Sequence, residues 1–166
     1  MNRIASFKPI ESESARILIL GSMPGVMSLA AGQYYAHPRN SFWKIMSTIL
    51  DIPFAATYEE RLDALQKANI ALWDVLHSCI REGSLDANID ADSVKANNFS
   101  AFLRKHPGIE IVAFNGATAE KCYQRYVIPT PKDCRVKYVR LPSTSPAHAS
   151  LAFDDKVAAW RAAIGA

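Results

Sequence analysis

The run from Arg16 to Trp43, RILILGSMPGVMSLAAGQYYAHPRNSFW, carries the decisive pattern. It opens on ArgIleLeuIleLeu at 16–20, apolar on both alternating faces, as a strand buried inside a parallel sheet is. A long segment from Gly21 onward follows, with no charge before Arg39. A connection of that length between a strand and a helix is uncommon unless it has a task. Tyr34, Tyr35, Phe42 and Trp43 supply flat apolar surface beside the polar groups of His37 and Asn40. That is the composition of a pocket for a flat, partly polar ligand.

Three further apolar runs read as strands: 70–74, 109–114 and 137–141. Helical spacing marks Ser41 to Leu50, Tyr58 to Lys67, Phe99 to Lys105, Thr118 to Tyr126 and Asp154 to Ile164, the last with Val157, Trp160, Arg161 and Ile164 in phase. Strands alternating with helices predict a three-layer α/β/α fold around a central four-stranded parallel sheet, in one domain over residues 1–166. Each strand ends in polar or backbone-special residues: Gly21 to Gly25, Trp73-Asp74, Asn115-Gly116 and Pro142 to Pro146. Ligands bind at that edge of open parallel sheets.

The chain is 49% hydrophobic and 21% charged, enough to bury a core and too apolar for disorder. A net charge of +3 permits a nucleic-acid partner without demanding one, and no basic tail is present. No apolar run has the length of a signal-peptide core or a membrane span. Cys79, Cys122 and Cys134 are widely spaced, and the four histidines (His37, His77, His106, His148) show no ligand spacing. The expectation is a reduced, cytoplasmic, monomeric protein with no membrane contact, no metal and no cofactor.

Taken singly, the motifs admit plain readings. GSMPG fits a tight turn and lacks the Gly-Lys-Ser/Thr ending of a phosphate loop. Asn40 precedes an amphipathic helix and fits its N-cap. Phe42 and Trp43, on that helix, fit the core. Asn115 fits a cap or turn, or a carboxamide that donates and accepts at a strand's mouth. His148 fits a surface histidine.

In combination they are more specific. GSMPG, YYAHPRNSFWK, AFNGATA and LPSTSPAHA, set after the first, third and fourth strands, resemble the uracil-DNA glycosylase superfamily. AHPRNSFWK is similar to a motif of the mismatch-specific uracil/thymine-DNA glycosylases. The Met of GSMPG and the LPSTSPAHA ending most resemble the hypoxanthine-DNA glycosylase branch. The resemblance implies that Tyr35 stacks on the base, Asn115 reads it and Asn40 positions the attacking water. The mismatch enzymes hold that water with an Asn in the first motif, where this chain has Met23. Classical uracil enzymes open the last motif with a His that polarises the base; here that residue is Leu141, and His148 does not match its place.

A base within a duplex must be flipped out, and a stacking aromatic returns part of the cost. Gly21, Ser22, Met23 and Pro24 are expected at the base, with the Ser22 and Met23 N–H groups facing its developing charge. Ser143, Thr144, Ser145 and His148 are expected against DNA. Deamination turns an exocyclic amine into a carbonyl, so uracil and hypoxanthine share an N–H beside a C=O. A fixed Asn115 amide matches that pair and rejects cytosine and adenine, whose ring acceptor and amine donor leave polar groups unpaired. No lysine stands among these residues to form a Schiff base. The expectation is a monofunctional DNA glycosylase of base excision repair, acting on DNA with deaminated bases. A mismatch-specific glycosylase and a non-enzymatic nucleic-acid binding module remain alternatives.

Overall fold

The computed structural model describes residues 2–127 and 135–165; Cys134 lies outside them. In chain order the strands are β1 (Arg3–Ala5), β2 (Ile17–Gly21), β3 (Ile70–Asp74), β4 (Leu76–Ile80), β5 (Lys95–Ala96), β6 (Ile111–Asn115) and β7 (Lys137–Leu141). The helices are α1 (Val26–Ala31), α2 (Phe42–Leu50), α3 (Tyr58–Lys67), α4 (Phe99–Lys105), α5 (Ala117–Tyr126) and α6 (Phe153–Ile164).

The four expected strands form one parallel sheet in the order β3-β2-β6-β7. Its side chains alternate between two cores. Leu18, Leu20, Val112 and Phe114 meet Phe99, Phe102 and Ala119 of α4 and α5 on one face. Ile19 and Ala113 meet Phe42, Ile45 and Met46 of α2, Leu65 of α3 and Trp160 of α6 on the other. Both faces are thus covered over β2, β3 and β6, which is why those strands are mostly apolar, whereas the edge strand β7 carries Lys137 and Arg140 and is largely exposed. On α6, Val157, Trp160 and Ile164 face inward as expected, but Lys156 joins them and Arg161 is exposed.

A second sheet, β1-β4-β5, is antiparallel and lies outside the sequence expectation. Only Val75 separates β3 from β4, so the run from Ile70 to Ile80 offers no break to read. The Val75 and Leu76 N–H groups donate to the carbonyls of Gly21 and Ser22, at 2.8 and 3.1 Å, and the chain then leaves for the second sheet. β1 and β5, at three and two residues, are too short to show a period. The free edge of β3 is partly covered by Ile10, which exchanges backbone hydrogen bonds with Leu72. Among the described residues no helix is long and apolar enough to cross a membrane.

Candidate active site

β2, β3, β6 and the loop after β7 deliver their last residues to one cleft at the carboxyl edge of the parallel sheet. Gly21, Ser22, Met23 and Pro24, Tyr35, Asn40, Asn115, Ser143, Thr144 and Ser145 all border it. His148 borders an adjoining hollow that shares Asn115 and Ser143 with the first.

The first motif forms a braced turn. The Ser22 hydroxyl donates to Asp86 Oδ2 at 2.7 Å, and the Arg81 guanidinium donates to the Pro24 carbonyl at 2.6 Å. The Ser22 and Met23 N–H groups make no backbone hydrogen bond among the described residues. Met23 turns its side chain into the core, where it is 7% exposed. Gly21 is required by space. A Cβ there would lie 2.5 Å from Asp74 Oδ1 and 2.9 Å from the Tyr35 hydroxyl.

Asn115 ends β6 with its amide locked. Its Oδ1 accepts from the Thr144 N–H at 3.0 Å, and its Nδ2 donates to Thr144 Oγ1 at 3.0 Å. A backbone N–H can only donate, so the oxygen must face it and the amide cannot turn over. Thr144 takes one N–H and one lone pair of the amide, and what remains faces the cleft within reach of the Tyr35 hydroxyl. Next to it, Gly116 has φ 94° and packs so close to Ser143 that a Cβ would lie 2.9 Å from that residue's own. Thr144, expected against DNA, turns inward instead: it is 1% exposed, with its hydroxyl on Asn115. Its carbonyl accepts from the Ser41 N–H at 3.0 Å, which fastens the start of α2 to the same loop. Ser143 and Ser145 are half-buried and His148 is exposed.

Asn40 sits at the rim, half-buried. Its Oδ1 accepts from the Phe42 N–H at 2.9 Å in an Asx turn, but the N-cap of α2 is Ser41, one residue on, so Asn40 is not the cap the sequence suggested; its side chain borders the cleft. Tyr35 takes a left-handed backbone, φ 56°, and packs its ring on Phe42 at 4.1 Å. Its hydroxyl is buried with no hydrogen bond of good geometry; burial raises its pKa well above the usual range, against a pull from the neighbouring Asn115 amide. Tyr34 is committed elsewhere, its hydroxyl donating to the Lys8 carbonyl at 2.8 Å.

Three ionisable residues without an assigned task in the sequence stand here: Asp74 and Asp86 border the cleft, and Arg81 is buried beside Asp86. Asp74, at the end of β3, is 3% exposed, and its Oδ2 has no partner. Burial and the neighbouring Asp86 carboxylate push its pKa up to about 7, against the pull of Arg81. Asp86 is raised by burial too, less so because Ser22, Arg81 and His148 favour its charge. Arg81, 6% exposed, approaches Asp86 Oδ1 at 3.9 Å. An Asp closing an apolar strand at the ligand edge is a signal that could have singled out Asp74. Arg81 gives none, since arginines are mostly exposed. No group of three or more His, Cys, Asp or Glu is placed to hold a metal among the described residues.

Known proteins resemble this chain in sequence and fold. The profile of the Uracil DNA glycosylase superfamily matches residues 8–164. A hypoxanthine DNA glycosylase of Methanosarcina barkeri is 40% identical over 111 residues, 66% of this chain and 69% of the relative. A hypoxanthine DNA glycosylase of Methanosarcina acetivorans is 35% identical over 114 residues, 68% of this chain and 71% of the relative. A solution NMR structure from Methanosarcina acetivorans, described as a candidate uracil DNA glycosylase, superposes with a TM-score of 0.81 at 30% identity, covering 98% of this chain and 97% of that one. The parallel sheet with its polar carboxyl edge and the match along nearly the whole sequence agree: the chain belongs to the uracil DNA glycosylase superfamily and is a DNA glycosylase.

Proposed function

We propose that the protein removes a deaminated base, hypoxanthine or uracil, from DNA by hydrolysing its N-glycosidic bond, leaving an abasic site and an uncut strand. The observation that carries this reading is the locked amide of Asn115, whose remaining N–H and lone pair complement the C=O and N–H that deamination creates. Cytosine and adenine offer a ring acceptor and an amine donor instead, and an amide that cannot turn over leaves both sides unpaired. The names of the Methanosarcina relatives favour hypoxanthine within that pair.

In the reaction the bond between sugar C1′ and the base nitrogen breaks, and its electron pair leaves on the base. Water oxygen bonds to C1′, one water proton stays on the new hydroxyl, and the other reaches the released base through solvent. Asn40 orients that water and does not deprotonate it, because a carboxamide is not a base at neutral pH. The free N–H groups of Ser22 and Met23 stabilise the departing charge. Tyr35 forms a wall of the base pocket. Ser143, Ser145 and His148 hold the strand. No lysine borders the cleft among the described residues, so the strand is left intact. The enzyme acts as a monomer in the cytoplasm.

The deciding experiment incubates the protein with duplexes carrying uracil, inosine or a G:T mismatch and treats the products with alkali. Breaks at uracil or inosine that appear only after alkali are the expected result. Breaks at G:T alone would assign a mismatch-specific enzyme, and no breaks at all would leave a binding module.

A further inference from the structure

We propose that Asp74 is a second base-recognition residue, a neutral carboxylic acid that donates a hydrogen bond to an acceptor atom of the extruded base beyond the pair read by Asn115. This rests on the reading of the cleft as a deaminated-base pocket. Uracil carries such an acceptor in its other carbonyl, and hypoxanthine in a ring nitrogen.

The geometry singles out this residue. Asp74 closes β3 at the same sheet edge as Asn115 and borders the same cleft. Its Oδ1 and the Tyr35 hydroxyl both lie within 3 Å of the point where Gly21 would carry a Cβ. Only the absence of that carbon leaves room for both the acid and the phenol. The Asp74 Oδ2 is buried and unpartnered, and the Tyr35 hydroxyl is buried with no hydrogen bond of good geometry. Buried polar groups are nearly always hydrogen-bonded, and an orphan in a ligand cleft marks a contact completed by the ligand. Asp74 makes no ion pair within 4 Å among the described residues, so folding does not explain its burial.

The charges around it keep the proton on. Asp86 follows β4 and presents a second carboxylate. Tyr34 and Tyr35, from the loop before α2, present neutral hydroxyls and no positive charge. Among the described residues Arg81 is the one cation that acts on Asp74, and its pull is weaker than the push of burial and of Asp86. Arg81 donates to the carbonyls of Gly83 and Pro24, at 2.8 and 2.6 Å, and lies 3.9 Å from Asp86. One cation shared between two carboxylates leaves the more buried one protonated. A neutral acid suits the reaction. Its O–H bond to the base strengthens as negative charge builds on the leaving group, whereas a carboxylate would repel that charge.

The test is the pH dependence of single-turnover excision, on whichever of the uracil and inosine duplexes the wild-type enzyme cleaves. The wild-type rate is expected to fall as pH rises through about 7. Asp74→Asn, which keeps the size and an N–H donor, should retain activity within about tenfold and lose that fall. Asp74→Leu should drop the rate about a hundredfold or more while leaving affinity for an abasic duplex unchanged, since the base is gone from that ligand. A wild-type rate that rises through pH 7, or a fall that persists in Asp74→Asn, overturns the proposal; so does an Asp74→Leu rate equal to wild type. If Asp74→Leu does not fold by circular dichroism, the Asp74→Asn profile decides. Excision of neither base by the wild type overturns the parent reading, a result distinct from excision with a flat profile, which overturns only the role of Asp74.

Discussion

Asn40 joins two duties in one side chain. Its oxygen accepts from the Phe42 N–H and holds the entry to α2, and the residue borders the cleft. Asn40→Ala is therefore expected to slow single-turnover excision by about a hundredfold and to cost about 1 kcal/mol of stability through the lost hydrogen bond. A rate matching wild type would remove it from the mechanism, and a thermal melt separates the two effects. Asp74 has the opposite relation to stability. Its folded pKa, about 7, lies above the ordinary carboxylate value, so its contribution is fully present below about pH 4 and is lost as pH rises to about 7. Asp74→Asn escapes that loss. It should match wild type near pH 4 and exceed it by on the order of 1–3 kcal/mol above pH 7, as read by urea unfolding at both ends. A mutant no more stable than wild type at pH 8 would contradict the burial argument. Asn40 and Asn115 were legible in the sequence because each stands beside a boundary that the apolar periodicity fixes. Arg81 and Asp86 were not, because their meeting depends on the turn of Gly21 to Gly25, far away in sequence, closing over them.

At the scale of elements, α6 fastens the last motif at both ends. The Trp160 indole N–H donates to the Pro142 carbonyl at 2.9 Å, and Lys156 Nζ donates to the His148 carbonyl at 2.8 Å. Lys156 is 5% exposed, and burial lowers its pKa. A lysine so placed braces the loop and offers no charge to a phosphate. Lys156→Met should weaken affinity for an abasic duplex several-fold yet leave the slope of log affinity against log salt unchanged, because that slope counts phosphate contacts. A slope reduced by about one would show that Lys156 reaches the DNA directly. The main elements were legible from their apolar spacing, nearly to the residue for α2, α3, α4, β3 and β7. α1, six residues long and interrupted by no charge, merged into the loop around it.

For the whole molecule, the parallel sheet separates two cores, and the cleft lies at the edge where both meet loops. Trp160 is fully buried in the core beneath α2 and α6. Trp160→Ala should lower unfolding free energy by about 3–5 kcal/mol in a denaturant titration; a loss under about 1 kcal/mol would mean that this core closes over the gap. The overall architecture was legible because three strands buried on both faces leave a plain apolar signature, and β7, a partly exposed edge strand, still alternates enough to show. The antiparallel sheet was hidden because its pairing joins β1 to β4 across more than seventy positions, which no local pattern records. The contacts of Thr144 bear on how the enzyme comes into being. Through that residue the start of α2 and the end of β6 are tied to a loop that follows both in the chain. During synthesis the early motifs leave the ribosome first, and Asn115 has no fixed orientation until some thirty further residues emerge. A nascent chain is therefore inert toward DNA until its last strand docks, and competence arrives all at once and late.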